Sequence, residues 1–137
     1  MSMTYQQQFV MAGLAGRAAI LDLDARYNRL YSAGDLAGWI ATFRHAGASL
    51  TRAGETFTDL PAAFDGGNGQ RLVTVDHEIS VDGVEATQQC VVLLFREGEL
   101  RATGTCRDSL IYERGGWYFT SRELEWDLVP RERVVLV

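Results

Sequence analysis

The stretch RLVTVDHEISVDGVEATQQCVVLLFREGELRATGTCRDSLIYERGGWYFTSRELEWDL, Arg71 to Leu128, carries the pattern that decides the fold. It divides into strand-like runs at Arg71–Val81, Glu85–Arg96, Glu99–Tyr112 and Trp117–Leu128. Between them stand Asp82-Gly83, Glu97-Gly98 and Gly115-Gly116, dipeptides that supply the positive φ angles of tight hairpin turns. Long runs joined by turns this short predict an antiparallel meander.

Upstream the period changes. From Gly16 to Ala33 the apolar residues Ile20, Leu23, Tyr27, Leu30 and Tyr31 fall at spacings of three and four, the stripe of an amphipathic helix. Gly34 stops it, and Asp35 is placed to cap a second helix running to about Arg44, with Trp39, Ile40 and Phe43 inward. Ala48–Arg52 and Thr56–Thr58 suit a short hairpin, and Pro61 begins a short third helix over Leu60–Phe64. Residues 1–15 read as an arm before the domain, and residues 129–137, with the apolar Val134–Val137, as a tail. Helices followed by a meander predict one α+β domain over 1–137, with helices packed on a curved, mostly antiparallel sheet. The run Glu85–Arg96 is apolar on both faces: Cys90, Val92 and Leu94 on one, Val91, Leu93 and Phe95 on the other. A strand covered by helices on one face needs something on the other, and a homodimer through the outer sheet face is the expectation.

Composition narrows the chemistry. All thirteen basic residues are arginine, which removes a lysine Schiff base, a lysine general base and a P-loop lysine. The net charge is −5 and the arginines are spread, against nucleic acid as a partner. No apolar run approaches the ~20 residues of a membrane span, and Met1–Gln8 has no signal-peptide pattern. A cytoplasmic protein that neither binds nor crosses a membrane is expected. The two cysteines, Cys90 and Cys106, lack disulfide-framework or metal-ligand spacing, and no metal or other cofactor is expected.

Three segments resemble one family. They are AAILDLDARYNRLYSAGDLAGW (Ala18–Trp39), RLVTVDHEISVDG (Arg71–Gly83) and GTCRDSLIYERGGWYFTSRELE (Gly104–Glu125). Together they resemble the SnoaL-like branch of the nuclear transport factor 2-like superfamily over about Gly16 to Asp127. The resemblance implies a cone-shaped α+β barrel with a hydrophobic pocket. It does not imply one activity, since cyclases, dehydratases, isomerases, epoxide hydrolases and non-catalytic modules share the fold. The dehydratase-type branch uses a histidine–aspartate dyad, and the resemblance places its aspartate at Ser32 and its histidine at Leu72. Neither residue performs that proton chemistry.

Other residues are candidates. His77 has an apolar face of Val73, Val75, Ile79 and Val81 by strict alternation, and a histidine at a pocket wall titrates near neutrality. Alternation also puts Leu72 on the opposite face, a conflict that a β-bulge would remove. Asp76 shares the Leu72 face; Asp24 lies at the edge of the helical stripe; Asp108 alternates with Gly104, Cys106 and Leu110. Carboxylates in apolar company need a partner or a raised pKa. Each has a structural alternative: a hydrogen-bonded core histidine, a solvated Asp76, an arginine partner for Asp24, an Asp108–Arg122 pair. Tyr27, Tyr31, Trp39, Cys106 and Arg122 are the candidate ligand-binding residues, against plain core roles. His45 has no assigned role.

Two functions stay open. One is a cofactor-independent isomerase-, cyclase- or dehydratase-type enzyme acting on a small hydrophobic oxygenated molecule with His77, Asp24, Asp76 and Asp108 as acid–base groups. The other is a non-catalytic binding or subunit-interaction module that keeps the cone without the dyad.

Overall fold

The structure is a computed structural model, and it describes residues 3–127. The tail contact expected for Val134–Val137 falls outside the described residues.

Helix α1 spans Tyr5–Ala33, eleven residues longer at its start than the apolar stripe predicts. A capping box begins it: Thr4 Oγ1 accepts from the Gln7 amide at 3.1 Å, and the Thr4 amide donates to Gln7 Oε1 at 2.9 Å. Residues 5–15 are therefore part of the first helix, not a separate arm. Gly34 ends the helix at φ 72°, where its amide reaches back to the Leu30 and Tyr31 carbonyls. Helix α2, Leu36–Ile40, is capped by Asp35, whose side chain accepts from the Gly38 amide, and it stops four residues before the expected end. Strands β1 (Ser49–Arg52) and β2 (Glu55–Phe57) form the small hairpin, and α3 is Leu60–Ala63. The meander is β3 (Gln70–Asp82), β4 (Glu85–Arg96), β5 (Glu99–Glu113) and β6 (Gly116–Trp126).

The six strands make one sheet in the order β2-β1-β6-β5-β4-β3. All neighbours are antiparallel except β1 and β6, which pair parallel from Ser49↔Ser121 to Arg52↔Leu124. This helix-covered curled sheet is the expected α+β cone. The core lies between α1 and the inner sheet face: Ile20, Leu23 and Tyr27 from the helix meet Val92, Cys106, Leu110 and Phe119 from the strands. At one end α2 closes the core through Trp39, which meets Phe43 and Phe64 at 5.0 Å, and beside it Tyr27 of α1 meets Phe119 of β6 at 5.5 Å.

Register shifts between Val75 and Glu78, where Asp76 and His77 together face one residue of β4. This is a β-bulge, and Asp76 adopts φ 54° within it. The bulge reverses the side-chain alternation. Leu72 is buried and Thr74 bonds Asn28 of α1, and beyond the bulge His77, Ile79 and Val81 also face inward. The assignment of Val73 and Val75 to the His77 face is thus corrected, because one extra residue moves them outside. On that outer face Val91, Leu93 and Phe95 of β4 are only half-covered by the chain.

Candidate functional site

The inner sheet face carries a row of directly opposed residues across four strands: Ile79, Gln88, Asp108 and Arg122. The α1 stripe brings Asp24 over this row, and the bulge brings His77 beside it. Asp24, Gln88, Asp108 and Arg122 are all buried, at 5% exposure or less.

Gln88 ties the group together. Its amide nitrogen donates to Asp24 Oδ1 at 2.9 Å and to Asp108 Oδ2 at 2.8 Å. With both amide hydrogens spent on carboxylates, Gln88 Oε1 is left facing His77 Nδ1 at 2.8 Å. Asp24 Oδ2 lies 3.2 Å from the same ring nitrogen. That carboxylate oxygen is near the ring without hydrogen-bonding geometry, and the Gln88 oxygen is the acceptor that favours the proton on Nδ1, which leaves the lone pair of the neutral ring on Nε2. The nearby Asp24 carboxylate pushes the His77 pKa above its ordinary value against the opposing effect of burial, with Gln88 helping.

Arg122 holds the other end. Its Nε stands 3.0 Å from Asp108 Oδ1 and its Nη2 4.0 Å from Asp24 Oδ1. The guanidinium lies over the Tyr27 ring at 4.3 Å and the Phe119 ring at 4.6 Å, an arrangement suited to a buried cation. Burial works against its charge, but Asp108 and its other neighbours more than offset this, so Arg122 stays charged. Its Nη1 has no hydrogen-bond acceptor among the described residues. Burial pushes the Asp108 pKa up to about 6, with Arg122 and Gln88 pulling the other way. Burial likewise pushes Tyr27 up to about 12, so the phenol stays neutral.

The group can hold and move a proton. Arg122 balances one of two carboxylates, and a proton on His77 balances the other. β3 is an edge strand, and the His77 side chain, 14% exposed, stands at the rim between that edge and α1.

The sequence candidates divide accordingly. His77, Asp24, Asp108 and Arg122 come together. Asp76 does not: the bulge turns it out to solvent, which removes it as an acid–base group. Cys106 is fully buried directly opposite Cys90 and packs in the core. Tyr27, Tyr31 and Trp39 line a space shared with Leu50, Leu72 and Leu124, but its volume is only about 10 Å³, room for a single water at most. Tyr31 closes its mouth, donating to Asp65 Oδ1 at 3.0 Å, and Arg52 pairs with the same oxygen at 3.4 Å. The expected hydrophobic pocket is therefore occupied by the protein's own side chains. A larger cavity of about 700 Å³ lies on the outer sheet face, lined by polar residues such as Glu78, Gln89 and Arg107.

At the positions where the resemblance places the dyad, Ser32 Oγ accepts from the Leu72 amide at 3.1 Å and donates to the Asn28 carbonyl at 2.7 Å. These residues fasten the end of α1 to the edge strand. Gln88 is the member that sequence reasoning missed, although an amide alternating with Ala86, Cys90 and Val92 was a visible signal. Among the described residues no three His, Cys, Asp or Glu side chains are grouped as a metal site requires.

Residues 12–123 match the SnoaL-like domain family. The chain belongs to that family. The SnoaL-like chain is similar to a nuclear transport factor 2-like protein with a cystatin-like fold from Novosphingobium aromaticivorans, with a TM-score of 0.80, 22% identity, and 99% and 97% of the two chains covered. It is also similar to a proposed scytalone dehydratase from the same organism, with a TM-score of 0.74, 20% identity, and 84% and 86% covered. A third similar structure is LinA, with a TM-score of 0.69, 19% identity, and 84% and 88% covered. At these identities the likeness establishes the nuclear transport factor 2-like fold. A comparison of the sequence with curated proteins gives no match. No helix among the described residues is long and apolar enough to cross a membrane.

Proposed function

We propose that this SnoaL-like chain is a cofactor-independent acid–base enzyme of the isomerase or dehydratase type, acting on a small hydrophobic oxygenated molecule. The observation that carries the reading is the His77–Asp24 pair with its tautomer set by Gln88. His77 Nε2 is the general base, and Asp24 and Gln88 orient the ring and stabilise the imidazolium that forms. Asp108, neutral through the weakly acidic range, is the second proton carrier. Arg122 Nη1, a buried donor without an acceptor, faces negative charge that develops on a substrate oxygen. The fold shared with a proposed scytalone dehydratase and with LinA supports chemistry of this class. The pair stands two helical turns from the dyad's position on α1, so the substrate would sit nearer the middle of the cone.

The filled cone favours a second reading, a non-catalytic interaction module. Solvent exchange separates the two. A panel of small cyclic ketones and β-hydroxy ketones is incubated with the protein in deuterium oxide and followed by NMR. The enzyme reading expects deuterium to enter beside the carbonyl, and His77→Gln to slow this by about 10²–10⁴-fold while the fold is kept. Binding without exchange, or exchange indifferent to His77→Gln, overturns the catalytic role and leaves the module.

A further inference from the structure

The mouth of the cone is closed from within the chain by two consecutive residues, Phe64 and Asp65. Phe64 puts its ring beside Tyr31 and Trp39, with centroids 6.0 Å and 5.0 Å away. Asp65 puts Oδ1 where two donors converge, the Tyr31 hydroxyl at 3.0 Å and Arg52 Nη1 at 3.4 Å. An aromatic ring followed by a carboxylate thus fills one end of the cone, and about 10 Å³ is left beside Tyr31, Arg52 and Asp65. Burial, with Asp65 adding to it, raises the Tyr31 pKa, so the phenol is a neutral donor. The two receiving groups carry one positive charge between them, which a carboxylate matches.

The receiving groups and their occupant are held differently. Tyr31 belongs to α1 and Arg52 to β1. Arg52 is fixed without help from the Asp65 carboxylate: Nη1 donates to the Ala63 carbonyl at 2.8 Å, and the guanidinium lies 5.2 Å from the centre of the Phe57 ring. The occupant stands outside regular structure, where α3 ends and the run Asp65-Gly66-Gly67-Asn68-Gly69 begins, three glycines in five residues. The far end of the occupant is pinned by the Gly67 amide, which donates to the Tyr31 carbonyl at 2.8 Å, so Gly66 is the hinge. The Phe64 ring folds back over that hinge, where a Cβ on Gly66 would come within 2.7 Å of it. The Asp65 side chain is 53% exposed, and an ion pair open to water is weakly held.

We propose that Phe64 and Asp65 stand in for a ligand, and that the mouth of the cone is a carboxylate site for a small acid built on an apolar ring. The ligand's carboxylate replaces that of Asp65 on Tyr31 and Arg52, and its ring replaces Phe64 beside Tyr31 and Trp39. The inference rests on the proposed function for a ligand in the cone, and it names that ligand's polar end. It accounts for a cone with almost no free volume, because the volume is held by a segment that turns out about Gly66. The chain's own carboxylate competes with the ligand and weakens its binding, since only the displaced state is competent to bind. A neutral molecule of the same shape does not match the Arg52 charge and leaves Asp65 in place.

The test is binding of phenylacetate and of its neutral analogue phenylacetamide to the full chain, followed by calorimetry and NMR titration. Asp65 is exposed, so circular dichroism is expected to show the fold of Asp65→Ala intact. Asp65→Ala is expected to bind phenylacetate at least about tenfold more tightly than the wild type does, and to gain far less for phenylacetamide. Adding Arg52→Gln to Asp65→Ala is expected to abolish that gain. In the wild type, saturating phenylacetate is expected to replace the Phe64–Trp39 ring NOE with one from the ligand ring to Trp39, an observation that needs no variant. Binding of phenylacetate by Asp65→Ala no tighter than by the wild type overturns the proposal. So does an equal gain for phenylacetamide, which would mean an opened cone without a carboxylate site, and so does a gain that survives Arg52→Gln. The expected binding pattern with no deuterium exchange beside any carbonyl would support the site and overturn the catalytic reading. Exchange that depends on His77, with no phenylacetate binding, would do the reverse.

Discussion

Asp108 and His77 are both shifted upward, and the sign of that shift fixes how the protein responds to pH. Asp108 titrates near about 6 in the folded chain against 3.8 ordinarily, and His77 above 6.5. In both cases the native state holds its proton to higher pH than the unfolded state. Where the native state binds more protons, stability falls as pH rises. The His77 contribution is whole below pH 6.5 and is lost as pH rises through its folded value. The Asp108 contribution is whole below its ordinary 3.8 and is lost by the time pH passes about 6. The Asp108 shift corresponds to on the order of 2 to 3 kcal/mol. Urea unfolding at a series of pH values is expected to give stability that declines between pH 3.8 and about 6 through Asp108 and declines further above pH 6.5 through His77, with His77→Gln flattening the part above 6.5. A wild type and variant that run parallel would mean His77 gains no proton affinity on folding. Asp24, His77, Asp108 and Arg122 were legible in the sequence because ionisable residues on apolar faces stand out. Gln88 was legible only in part: its alternation with Ala86, Cys90 and Val92 marks an inward amide, but its role lies in three hydrogen bonds to residues distant in sequence, which no local pattern declares.

Element by element, the strands were predicted to within a few residues, but the feature that positions the candidate base was not. A bulge depends on pairing between strands, and nothing in Val75-Asp76-His77-Glu78 declares that two of these residues face one. Its only local trace is an aspartate at the position that takes φ 54°, a conformation aspartate tolerates better than β-branched residues do. Asp76→Val is therefore expected to destabilise the protein by about 1–2 kcal/mol in urea unfolding, and Asp76→Gly to be neutral or nearly so. Two-dimensional NMR is expected to show the His77 ring signals displaced in the valine variant, since relaxing the bulge turns the ring away from Asp24. Equal stability for the valine and glycine variants would show that the bulge does not depend on this residue's backbone. The long first helix, by contrast, did leave a signal. Thr4-x-x-Gln7 is a capping-box spacing, but the apolar stripe that marks the helix in the sequence begins only at Ile20. The parallel β1–β6 pair had no local signature, because contacts between residues some seventy positions apart follow from the closing of the cone rather than from either strand.

At the scale of the whole molecule, periodicity conveys which side chains face inward but not whether they leave space. Tyr27, Tyr31, Trp39, Leu72 and Leu124 all point into the cone, as a pocket lining would, and they meet one another with about 10 Å³ between them. If that region is packed core, shortening one of its members must cost both the transfer of its methyl groups and the cavity left behind. Leu124, 8% exposed, is the residue to shorten, since it touches the remaining void and takes no part in the polar group. Leu124→Ala is expected to lose about 2–5 kcal/mol of unfolding free energy. The enlarged apolar void is expected to take up benzene or a small cyclic ketone, raising the melting temperature of the variant but not of the wild type. A loss below about 1 kcal/mol would mean that the wall yields readily, as a pocket that opens for substrate must. Stabilisation of the wild type by the same ketones would carry the same meaning, and would return the cone to the role of a binding pocket next to His77 and Arg122.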